Sequence, residues 1–104
     1  MQLTKDADLL VCYAYKEYLD RRKRGVPKRQ ANTFHPDFRE NTSKLSGWLH
    51  DDYLYTIGEL KRANFVKTYL DGTFIITEHC IIYMENRFKN GLIEVTDFIS
   101  KFIP

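Results

Sequence analysis

Asp71-Gly72, set between two β-type runs in the stretch Phe65 to Glu85 (FVKTYLDGTFIITEHCIIYME), constrains this chain more than any other feature. Asp-Gly favours a tight type I′ hairpin turn because both residues tolerate positive φ. A two-residue loop predicts Leu70 opposite Thr73, Tyr69 opposite Phe74, Thr68 opposite Ile75 and Lys67 opposite Ile76, with an aromatic cross-strand pair beside the turn. An isolated hairpin is marginal in water, so this one must lie on helices. A helical pattern from Leu54 to Leu60 leads into it, and Thr77 is placed to cap a helix leading out. Helix, short hairpin, helix is the core of a winged helix-turn-helix. The predicted fold class is therefore α+β, mostly helical, with a hairpin wing at 65–76.

The 104 residues are enough for one modest core, and 43% hydrophobic content with 14% aromatic content is that of a folded domain rather than a disordered chain. Cys12 and Cys80 sit in apolar helical patterns without C-x-x-C or zinc spacing, which predicts buried thiols in a reducing compartment. Leu9 to Tyr15 is apolar, but Asp6 and Asp8 precede it and Lys16 and Glu17 follow, unlike a signal peptide. No apolar run reaches the roughly 18 residues of a membrane span. The expectation is a cytoplasmic protein with no membrane partner.

The first predicted helix runs from Ala7 to Arg22, with Ala7, Leu10, Val11, Ala14 and Tyr18 on one face, Thr4 or Asp6 as cap, and Gly25 and Pro27 as stop. Residues 21–35 follow as a basic connection, with Ala31 to Phe34 as a short first strand beside the wing. Phe38, Thr42, Leu45 and Leu49 share a face of a predicted second helix opened by Pro36 and interrupted at Ser46-Gly47. Asp51 and Asp52 favour the start of a third helix with Tyr53, Leu54, Ile57 and Leu60 as its apolar side. Thr77 to Lys89 is predicted helical, and Asn90-Gly91 stops it. The tail 92–103 is unusually apolar, with a last helix started by Thr96 or Asp97. The predicted core includes Leu10, Val11, Ala14, Leu54, Ile57, Leu60, Ile75, Ile81 and Met84.

Ile76-Thr77-Glu78-His79-Cys80-Ile81-Ile82-Tyr83-Met84-Glu85-Asn86 resembles the T-x-x-G-x-x-Y-L-E helix that follows the wing in small bacterial and phage winged-helix proteins of the YjcQ type. Glu59-Leu60-Lys61-Arg62-Ala63-Asn64-Phe65-Val66 is similar to the passage from third helix to wing in many winged-helix regulators. Cys80 and Asn64 stand where glycine is usual, and Asn tolerates the left-handed conformation that a helix C-cap needs. The resemblance implies the fold. It implies little chemistry.

His35, His50 and His79 are far apart in sequence, and adjacent His79 and Cys80 project about 100° apart on a helix, which suits no nucleophile-base pair. His50-Asp51-Asp52 reads as helix-start chemistry rather than as a metal site, and no phosphate-binding glycine loop or nucleophile elbow is present. No enzyme activity, cofactor or metal is expected. Six of the nine positions from Arg21 to Arg29 are basic, leaving 10 basic against 14 acidic residues elsewhere. Double-stranded DNA is the expected partner. Arg21, Arg22, Arg24, Lys28 and Arg29 are assigned to phosphates, and Tyr55, Thr56, Glu59 and Arg62 to the outward face of the third helix. Asp52, Glu59 and the acidic wing tip at Asp71 count against DNA and support the alternative, a non-enzymatic protein-interaction module on the same scaffold. Leu92, Phe98, Ile99 and Phe102 exceed what a small core absorbs from a tail. They predict either a homodimer or a last helix folded back over the first.

Overall fold

The computed structural model describes residues 2–102. Its elements are α1 (Lys5–Lys23), α2 (Lys28–Ala31), β1 (Thr33–Phe34), α3 (Phe38–Asn41), α4 (His50–Arg62), β2 (Val66–Thr68), β3 (Phe74–Ile76), α5 (Glu78–Arg87) and α6 (Leu92–Ser100). The three strands form an antiparallel sheet in the order β1-β3-β2, so the first strand lies beside the hairpin as expected.

α1 is the central element. Thr4 caps it, its hydroxyl accepting from the Ala7 N–H, and Ala7, Leu10, Val11, Ala14, Tyr15 and Tyr18 are buried along it. Asp8 and Arg87 form a two-pronged ion pair (2.6 and 3.0 Å) that ties α1 to α5, and the Arg87 guanidinium lies 4.5 Å from the centre of the Phe98 ring of α6. Such charge-assisted, bidentate bonds fix orientation as well as adding stability. α5 is set by Thr77, whose hydroxyl accepts from Cys80 N–H and donates to the Asn64 carbonyl. Asn64 holds the left-handed φ of +62° at the exit from α4, the role expected of it in place of glycine.

The hairpin is where predicted, but its register differs by one residue. Val66 faces Ile76, Lys67 faces Ile75 and Thr68 faces Phe74. Tyr69 N–H donates to the Thr73 carbonyl and Gly72 N–H to the Tyr69 carbonyl, which makes the loop three residues long, Leu70 to Gly72. Type I′ needs positive φ at both central residues, and only Gly72 (+94°) has it. Asp71 instead turns its carboxylate to accept from Thr73 N–H at 2.9 Å. Because side chains alternate, the shift decides which residues face inward: Phe74 is buried against Phe34 and Phe38, whereas Tyr69 is exposed.

Other expectations change as well. Lys28–Ala31 makes one helical turn inside the basic connection, ending in buried Ala31. The second helix is confined to Phe38–Asn41, because Thr42 is extended (φ −114°, ψ 110°), and Leu49 is left 71% exposed. α4 begins at His50 with Leu49 as its cap residue, so Asp51 and Asp52 lie in the first turn without capping side-chain bonds. Ile75 and Ile81 are half-buried rather than fully in the core. α6 starts at Leu92, four residues earlier than Thr96, with the Glu94 carboxylate accepting from Asn90 N–H at its start. It packs along α1: Val95 and Ile99 are buried, and Leu92, Phe98 and Phe102 are half-buried within the chain. The tail thus takes the fold-back course; Ile103 lies outside the described residues.

Candidate nucleic-acid interface

The last turn of α1 and the single turn of α2 meet at a corner made by Gly25, whose φ of +89° lets Val26 N–H reach back to the Arg21 carbonyl. Arg22, Lys23, Arg24, Lys28 and Arg29 are all exposed there. Arg24 has one acidic neighbour, Glu17 at 3.7 Å, and Arg22 donates to the Val26 carbonyl. Arg21 differs from the other four cations assigned to phosphate. Its guanidinium donates to Glu17 (2.9 Å), to the Thr33 carbonyl (2.7 Å) and to the Ala31 carbonyl (3.2 Å), and it covers the Phe34 ring at 4.6 Å. With its donors engaged by the fold, Arg21 fastens the corner to β1 instead of facing a ligand.

α4 also sorts its assigned residues. Tyr55 (74% exposed) and Arg62 point outward. Thr56 does not: it is buried, its hydroxyl donating to the Asp52 carbonyl at 2.7 Å, so the helix itself satisfies the only polar group that burial would cost. Leu54, expected in the core, is outside instead. Glu59 accepts from Thr4 N–H (2.8 Å) and Thr4 Oγ1 (2.7 Å), clamping the start of α1. The exposed positions of α4 are therefore His50, Asp51, Asp52, Leu54, Tyr55, Lys61 and Arg62, with Gly58 half-buried among them. Lys61 was absent from the assigned set. A helical wheel centred on Leu54 rather than on Thr56 and Glu59 finds it.

Between this face and the wing runs a groove of about 280 Å³, lined by Leu54, Gly58 and Lys61 on one side and Tyr69, Gly72 and Thr73 on the other. Among the described residues, five of the seven large apolar side chains left exposed are Leu49, Leu54, Tyr55, Tyr69 and Leu70, all on α4, its approach or the wing. The basic corner lies elsewhere. β1 starts at the strand end farthest from the wing tip, where the Asn32 carbonyl accepts from Ile76 N–H, and α2 precedes it there. Pro36, beyond the other end of β1, is the residue beside Gly72.

His79 is exposed beside the Phe65 ring, while Cys80 on the same helix is buried, its thiol pushed up to about 12 by loss of solvation. Cys12 is likewise pushed up to about 12, by burial first and then by the Asp8 charge. Both thiols are inert as nucleophiles near neutral pH. Among the described residues no cluster of three His, Cys, Asp or Glu side chains is placed to hold a metal, and no helix is long and apolar enough to cross a membrane. No protein-family model, curated protein or solved structure matches the chain.

Proposed function

We propose that this chain is a winged helix-turn-helix of the YjcQ type that binds duplex DNA, chiefly through phosphate contacts, as a small regulator. The observation that carries the reading is the corner at Gly25, where Arg22, Lys23, Arg24, Lys28 and Arg29 are exposed together and, among the described residues, only Arg24 has a carboxylate within 4 Å. Each such cation that meets a phosphate releases a counterion, which gives affinity without sequence preference. The position of α4 beside the hairpin supports it as the groove-facing helix, with Lys61 and Arg62 as its cations and Tyr55 between them and the acidic first turn. Base readout is weak in this reading, because Thr56 and Glu59 serve the fold. Anisotropy titration of mixed-sequence duplex at low and moderate salt tests it. Binding at low salt that disappears when Arg22, Arg24, Lys28 and Arg29 are changed together to Gln is expected; no binding at low salt rejects it.

A second reading rests on a different observation, the exposed Leu54, Tyr55, Tyr69 and Leu70 beside Asp51, Asp52 and Asp71. An apolar surface rimmed by carboxylates suits a protein segment that carries apolar and basic side chains. In this interaction-module reading the α4–wing face is the contact, and DNA is not bound.

A further inference from the structure

A further cleft among the described residues belongs to neither surface. It has a volume of about 630 Å³, within the range of small-molecule sites. It opens between the start of α1, the loop after α3 and the end of α6. Leu9 and Tyr13 of α1, Trp48 of the loop, and Phe98 and Phe102 of α6 supply its apolar lining. All five are half-buried. Phe98 is fixed by Phe88 (5.5 Å between ring centres) and by the Arg87 guanidinium, and Phe102 meets Phe98 edge-on at 5.0 Å. The loop is pinned by Arg39, whose guanidinium donates to the Trp48 carbonyl at 2.8 Å.

The polar part of the lining is unbalanced. Lys5, Lys44 and Lys101 stand on it against a single carboxylate, Asp6. Lys101 is paired with Asp97 at 3.3 Å, whereas Lys5 and Lys44 have no carboxylate within 4 Å among the described residues. An apolar, mostly aromatic floor with two uncommitted ammonium groups at its mouth complements one chemistry: a flat or linear apolar body that ends in an anionic head.

We propose that this cleft binds a small amphipathic carboxylate, its apolar body against Tyr13, Trp48 and Phe98 and its carboxylate between Lys5 and Lys44. The site is independent of the nucleic-acid reading. Trp48 is the only tryptophan of the chain, so its fluorescence reports occupancy directly. Three probes of equal chain length separate the contributions when titrated below their aggregation limits: dodecanoate, dodecanol and dodecyltrimethylammonium. Dodecanoate should change Trp48 emission saturably, with dodecanol weaker and the cation weakest. Lys5→Gln and Lys44→Gln, both at exposed positions, should each weaken dodecanoate by about two- to fivefold, the range for exposed ion pairs, and leave dodecanol unchanged. Added salt should narrow the gap between acid and alcohol. Equal binding of acid and alcohol, or lysine variants without effect, would overturn the carboxylate assignment. So would Trp48 emission that depends on protein concentration without any probe, because a second copy of the chain would then be covering the cleft.

Discussion

The corner at Gly25 and the face formed by α4 and the wing are both open to solvent, yet they are assembled differently. At the corner a single half-buried anchor, Arg21, fastens the end of α1 to α2 and β1, while Arg22, Lys23, Arg24, Lys28 and Arg29 are exposed around it, Arg22 reaching the Val26 carbonyl and Arg24 lying 3.7 Å from Glu17. On the α4 face the anchors are the residues behind it, Tyr53, Thr56, Ile57 and Leu60, and what remains outside is mixed: apolar and acidic at the N-terminal half, basic at the C-terminal half. In both regions one residue type divides between two tasks. Arg21 and Arg22 are neighbours in a charge run, yet Arg21 is half-buried with Glu17, two distant carbonyls and the Phe34 ring as partners, whereas Arg22 is exposed with the Val26 carbonyl alone. A charge run therefore identifies where cations are, not which of them remain available.

The largest expected effect lies behind the α4 face. Leu60 is fully buried and Ile57 nearly so, and either change to Ala should cost about 2 to 5 kcal/mol in urea unfolding through the cavity left behind. Phosphate affinity of the folded fraction should persist, since the corner is carried by α1 and α2. If the folded fraction lost all of its phosphate affinity, the corner would not bind without an intact α4 and the contrast would fail.

Within the corner, Arg21→Ala should cost about 2 to 3 kcal/mol, because it strips charged donors from the Ala31 and Thr33 carbonyls and a cation from the Phe34 ring. Arg22→Ala should change stability by less than about 0.5 kcal/mol. DNA titrations should rank them the other way. Loss of Arg22 should lower the salt slope by about 0.9, and loss of Arg21 should leave the slope alone while the protein stays folded. Equal slopes for the two variants would show that Arg21 also meets phosphate.

Much of this division was legible in the sequence, and its failures have physical causes. The stripe of α1, its capping by Thr4, one of two candidates, the capping of α5 by Thr77, the left-handed Asn64 and the site of the hairpin are local signals that the structure bears out. The register was not, because Asp71 is equally at home accepting a backbone N–H in a three-residue loop. Thr56 and Leu54 exchanged places because a threonine can satisfy its hydroxyl on its own helix, which periodicity treats as polar and therefore outside. Glu59 reaches Thr4 across 55 positions, and Arg21 reaches Thr33 across 12, contacts for which no local pattern exists. The misassigned site residues are thus those whose polar groups found partners within the fold.

Ionisation probes the buried core, through a thiol on α1 and another on α5. Cys12 and Cys80 are acids whose pKa rises from about 9.0 to about 12 on burial, so the folded state favours the neutral thiol. That contribution is complete below pH 9 and is lost as pH rises towards 12, so the free energy of unfolding should decline across this window. At pH 8 neither thiol should react with an aromatic disulfide reagent until the protein is unfolded. Rapid native-state reaction of either would show that the layer opens locally.

Smaller effects are expected from the two former candidates for base contact. Glu59→Ala releases Thr4 N–H and Oγ1 and should cost about 1 kcal/mol, as loss of a helix-start interaction does. Thr56→Val keeps the shape and removes a hydroxyl already served by its own helix, so it should cost less. Neither should alter which duplex is preferred. A shift in sequence preference with either variant, at unchanged stability, would return that residue to the readout surface.

The smallest stability change is expected where the α4 face is most exposed, and it separates the two readings of function most directly. Leu70 is fully exposed at the wing tip and Leu54 is 45% exposed across the groove, so Leu54→Gln with Leu70→Gln removes little buried area and should move the unfolding midpoint by less than about 0.5 kcal/mol. Neither leucine can neutralise a phosphate, so a protein that binds DNA through the corner should keep both its affinity and its salt slope in this double variant. Arg22→Gln with Arg24→Gln, equally mild for the fold, should lower the slope by about 1.8. Contact with a protein partner reverses the order: the leucine pair then removes the centre of an apolar interface, and the arginine pair leaves it intact. If the leucine pair instead weakened duplex binding more than the arginine pair, the wing tip would have to sit in the duplex, and the corner would be a solvated charge run.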